Sequence, residues 1–128
     1  MVVPIKTALL GMSVILVYDV LASVISLQAG LPYESFSFGS LLLYFVFGLL
    51  AFRTSSLLGS LLVGASMGFA EATLGWYLSW IIGPGRPNVQ FSPFEITFAI
   101  VFVTITAAVI GLIGGSLGWL VFRKRETT

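Results

Sequence analysis

The sequence predicts an all-α integral membrane protein, a bundle of four transmembrane helices with both ends on the cytoplasmic side (N-in/C-in). Composition, hydropathy and run length carry this expectation. Hydrophobic residues fill 58% of the 128 positions and charged residues only 9%, whereas soluble domains carry about 25% charged residues. Mean hydropathy is +1.08. Four apolar runs, set against the roughly 20 residues that a hydrocarbon layer needs, nearly exhaust the chain and leave it as one membrane domain. Long unbroken runs favour helices, because a membrane barrel shows alternating segments of about ten residues.

The first span is expected at about residues 7–28, ending at Ala29-Gly30-Leu31-Pro32. Its length of about 22 residues exceeds the 7–15 of a signal peptide's apolar core, so it is expected to stay in the protein. The second span, about 36–52, is short and ends at Arg53. The third, about 55–82, follows almost at once and stops at a Gly/Pro-rich segment, GPGRPNVQF, expected to be irregular. The fourth, about 94–122, is longer than one bilayer requires and runs into Arg123-Lys124-Arg125. Ser92-Pro93-Phe94-Glu95 ahead of it has the pattern of a capping box.

Orientation follows from the basic residues. Lys6, Arg53, Arg123, Lys124 and Arg125 fall on one side of the four spans and Arg86 on the other, which sets N-in and C-in. The bias also argues against a dual-topology protein. Trp76, Tyr77 and Trp80 at one end of the third span, and Trp119 on the fourth, stand where interfacial anchors are found.

Two acids lie inside these runs, Asp19 in the first and Glu71 in the third. An ionisable group at membrane depth costs about 2.5–3.5 kcal/mol on insertion scales, so an intramembrane acid is a functional candidate by default. At 1.5 Å per residue, Asp19 is about 18 Å from the inner end of its span and Glu71 about 24 Å from that of its own. Measured from the outer ends they are within a few ångströms of one level. No Lys or Arg is near either in sequence. Two carboxylates sharing a site do not comfortably ionise together, a property suited to a proton relay or a cation carrier. Tyr18 and Tyr44 are the expected hydrogen-bonding partners.

Small residues mark the packing faces. Gly64, Gly68, Glu71, Gly75 and Ser79 recur at spacings of three and four, and Asp19 shares its side with Ala22, Ser23 and Ser26. On the fourth span Gly111, Gly114, Gly115 and Gly118 form overlapping GxxxG patterns, which permit close helix approach.

Other chemistry is excluded by what is missing. The chain has no cysteine and no histidine, which removes thiolate and imidazole ligation of metals or haem; no cofactor and no metal site is expected. No hydrolase or phosphate-binding motif is present, so an enzyme is not expected. The one basic cluster, Arg123–Arg125, is a flank that touches anionic lipid rather than nucleic acid.

Two functions follow. The first is a transporter or channel component moving a proton, a cation or a small molecule, with Asp19 and Glu71 as its working groups and a homo-oligomer as its form. The second is a non-catalytic accessory or scaffolding subunit of a larger membrane complex. The expected location is a prokaryotic inner or plasma membrane, in contact with lipid.

Overall fold

The computed structural model of the protein describes residues 4–84 and 89–126, with side chains up to residue 122. Arg86 lies outside the described residues, as do the side chains of Arg123, Lys124 and Arg125. The described chain is all helical: α1 (Ile5–Ala29), a 3₁₀ turn (Tyr33–Phe36), α2 (Ser37–Thr54), α3 (Leu57–Ala70), a π-helical turn (Glu71–Gly75), α4 (Trp76–Ile82) and α5 (Pro93–Glu126). Because α3, the π turn and α4 are continuous, four helices are long and apolar enough to cross a membrane. Their limits agree with the expected spans to within a few residues, except that α5 continues through the basic cluster to Glu126.

Local chemistry explains each boundary. Gly30 adopts the left-handed conformation (φ 67°) that ends α1, and the Ser26 hydroxyl donates to the Leu31 carbonyl across the turn at 2.6 Å. Ser56 caps α3 by accepting from the Gly59 N–H. With only Ser55 and Ser56 between them, α2 and α3 are antiparallel neighbours. The capping box before α5 is formed in both directions: the Ser92 N–H donates to Glu95 Oε2 at 2.8 Å, and the Glu95 N–H to Ser92 Oγ at 3.2 Å. At the opposite end the Arg53 guanidinium lies 5.2 Å from the centre of the Phe122 ring, tying α2 to α5.

Helices α2 and α3 form the middle of the bundle. Helix α5 packs on one side of this pair and α1 on the other, and α1 does not pack against α5. Ile15, Tyr44, Phe47, Val63, Met67 and Ala107 form the apolar core between them.

The α3–α5 and α2–α5 crossings depend on missing side chains. A Cβ on Gly111 would stand 2.7 Å from the Ser60 carbonyl oxygen and 3.0 Å from Gly64 Cα, and one on Gly48 would run into the Gly111 backbone. Gly64 and Gly68 face Ala107, and Gly115 faces Ser60, whose hydroxyl crosses to the Gly48 carbonyl at 2.7 Å. Gly118 is looser, its nearest neighbours being Phe52 and Leu49 at 3.3–3.4 Å. Thus Gly64 and Gly111 are contact points between backbones, Gly68 and Gly115 make room for the side chains of Ala107 and Ser60, and Gly118 is at the edge of the interface.

Gly111→Ala is expected to lower stability by about 1–3 kcal/mol, because the clash is with backbone that cannot swing aside. Gly118→Ala is expected to change it by less than about 0.5 kcal/mol. Thermal unfolding of the purified protein in detergent checks both.

Candidate functional site

Above the core, towards the end distant from both termini, α5 parts from the neighbouring helix. It packs against α3 and the π turn but not against α4. The divergence leaves a cavity of about 840 Å³ among α1, the start of α2, the π turn, α4 and the start of α5.

Asp19 and Glu71 belong to this cavity. Asp19 is 2% exposed and Glu71 8%. The two carboxyl groups, contributed by different helices, are close enough to interact directly. The Ser40 hydroxyl donates to Glu71 Oε1 at 2.6 Å. The other oxygen of Glu71, Oε2, and Asp19 Oδ2 are buried with no hydrogen-bond donor among the described residues. Two facing acceptors cannot satisfy one another; a proton or a cation between them can.

Backbone geometry makes this approach. A π turn holds more residues than an α turn, and such turns concentrate at functional sites. Glu71, Gly75 and Ser79 are spaced four and four, wider than the 3.6 residues of an α turn, yet all three stay buried on the face towards α1. The π turn absorbs the difference. Gly75 then matters for its bareness, since the position a Cβ would take is filled by Asp19 Oδ2. Gly75, expected as a packing glycine, is therefore the seat of the first carboxyl.

The remaining expected residues separate. Tyr18 lines the cavity, and its hydroxyl donates to the Phe36 carbonyl, so it fastens α1 to the 3₁₀ turn rather than binding an acid. Tyr44 does not line the cavity. It is 2% exposed and packs with Ile15, Phe47 and Met67 below the floor, because its place on α2 faces the core one turn past Ser40. Trp76, Tyr77 and Trp80, expected as interfacial anchors, are part of the cavity wall.

Residues not anticipated as site groups complete it. Ser40 is the direct partner of Glu71. Tyr33, on the 3₁₀ turn, brings its hydroxyl within interaction range of Asp19, Ser23 and Ser79. Glu34 and Glu95 stand at the rim, the latter already engaged in the capping box. A level argument finds Ser40: it is about 12 Å below Tyr33, and Asp19 about 15 Å below Ala29. Among the described residues no Lys or Arg lines the cavity, and no group of three or more acidic residues is arranged to hold a metal ion.

Compared with protein-family models, with curated proteins and with solved structures, the chain matches none.

Ser40→Ala leaves Glu71 Oε1 without its donor and is expected to destabilise by about 1–3 kcal/mol. Ser66→Ala, which removes only a hydroxyl bonded to the Leu62 carbonyl of its own helix, is expected to stay within about 0.5 kcal/mol. Denaturant unfolding in detergent distinguishes the pair.

Proposed function

We propose that the chain is a small multi-pass membrane protein, N-in/C-in, that moves a proton or a small cation across the bilayer, with Asp19 and Glu71 as the groups that bind it. One observation carries the proposal. Two carboxyl groups from two helices meet at the floor of a large cavity, each with an oxygen that has no donor, and no described basic residue neutralises them. Neither Glu71 Oε2 nor Asp19 Oδ2 finds a donor among the described neighbouring side chains, so the pair depends on a proton or a cation between them.

The positive-inside rule supports the orientation, and with it the cavity faces the outer side. Towards the termini the floor is closed by the packed core of Ile15, Tyr44, Phe47 and Met67. Passage therefore requires this core to part. The π turn sits at the junction, where a change of register between π and α would rotate Glu71 relative to Asp19. Glycine contacts between α3 and α5 leave little side-chain interlocking to oppose a shift of one helix along the other.

In liposomes, purified protein is expected to support proton or cation flux. Glu71→Gln and Asp19→Asn are each expected to lower it at least about tenfold, since each removes one of the two charges that bind the ion. A pH-sensitive dye and a cation-sensitive dye inside the vesicles read the two fluxes. Absence of both fluxes from folded wild-type protein, together with its isolation in a stable larger complex, would replace this function with that of an accessory subunit.

A further inference from the structure

The cavity wall narrows the kind of cation. Its floor offers two carboxyl groups with an unpartnered oxygen each, and Glu34 and Glu95 add negative charge at the rim. Its sides are aromatic: Tyr33 and Phe36 at the 3₁₀ turn, Trp76, Tyr77 and Trp80 along α4, and Phe91 ahead of α5. Ile96, Ala99 and Ile100 of α5 face them.

Alternatives fail on chemistry. An anion finds acidic groups and no Lys or Arg among the described lining residues. A neutral solute makes no use of the paired acids, whereas a cation compensates whichever of them is ionised. A hard metal ion seeks six or more oxygen ligands, and the described residues bring no three acidic groups together for it. A bare inorganic cation also makes no use of a cavity of about 840 Å³, a volume within the range of about 300–1,000 Å³ that holds organic ligands. Aromatic faces attract organic cations. Carboxyl oxygens accept hydrogen bonds, which a protonated amine can donate and a quaternary ammonium cannot.

We propose that this cavity binds a protonated amine carried on an aromatic or other apolar body, its N–H groups donating to the carboxyl groups of Asp19 and Glu71 and its body lying against Trp76 and Trp80. The ligand class rests on the cavity being the substrate site of the function proposed above. It adds which cation enters, and why the wall is aromatic. Because protons compete for the same carboxyl groups, binding weakens as pH falls. The other titratable groups lining the cavity are Tyr18 of α1, Tyr33 of the 3₁₀ turn and Tyr77 of α4, with Glu34 and Glu95 at the rim.

Calorimetric titration of the detergent-solubilised protein with three matched probes is the test: 4-phenylbutylamine, its N,N,N-trimethyl analogue and 4-phenylbutanol. Saturable binding of the amine is expected, about tenfold weaker binding of the trimethyl analogue, and none of the alcohol. Asp19→Asn and Glu71→Gln are each expected to weaken amine binding at least about thirtyfold. Trp76→Leu, which leaves both charges in place, is expected to weaken it about threefold to tenfold. Thermal unfolding of each variant confirms that it is folded. Equal binding of amine and alcohol, or undiminished amine binding by the folded Asp19→Asn/Glu71→Gln double variant, overturns the proposal. Ion flux that depends on both acids in a protein that binds no amine overturns the ligand class alone. Amine binding without any flux supports the ligand class and overturns the transport function alone.

Discussion

The upper half of the structure depends on one constraint: two acidic side chains from different helices must occupy the same buried volume. Carboxyl groups this close repel when both are ionised, and neither has a described basic partner. The surrounding backbone is shaped to allow the meeting. Gly75 vacates the space that Asp19 Oδ2 fills, the π turn keeps Glu71 and Ser79 on one face, and Ser40 takes one of the four carboxyl oxygens. Local geometry that departs from a regular helix is thus concentrated where the chain places its most costly side chains.

Below this level the bundle follows a different logic. Helices α2, α3 and α5 come together through glycine and alanine, with carbonyl oxygens and Cα atoms in near contact at Gly48, Gly64 and Gly111. Such contacts exchange side-chain bulk for backbone proximity, the usual solution where apolar burial gives no advantage over lipid. Helix α1 is fastened to the 3₁₀ turn from its middle by Tyr18, whose hydroxyl donates to the Phe36 carbonyl, and its end is closed locally by Ser26, which donates to the Leu31 carbonyl. The close-packed half near the termini and the divided half around the cavity are consequences of where α5 stops following its neighbours.

Much of this was legible in the sequence, and the exceptions have physical causes. The four helices follow from run length and hydropathy. The capping box at Ser92–Glu95 and the stop at Gly30 follow from local turn chemistry. The buried faces of Asp19, Ala22, Ser23 and Ser26 and of Gly64, Gly68, Glu71, Gly75 and Ser79 follow from helical spacing. Counting rise per residue from the outer ends placed the two acids at one level. The π turn at Glu71–Gly75 has no mark in the sequence, because residues four apart share a face of a regular α-helix as well. Tyr44 was misplaced because a tyrosine near the right depth gives no indication of which way α2 is rotated; only packing against Ile15 and Met67 decides that. Tyr33 and the role of Trp76 and Trp80 in the wall depend on α5 diverging from α4, a tertiary event with no local sequence mark.

The central claim is that Asp19 and Glu71 act as one unit rather than as two separate buried acids. A double-mutant cycle on unfolding free energy in detergent, built from Asp19→Asn, Glu71→Gln and their combination, tests it most directly. The two substitutions are expected to be non-additive, with a coupling of about 0.5–3 kcal/mol. Effects that add to within about 0.3 kcal/mol, as expected for distant independent sites, would contradict it.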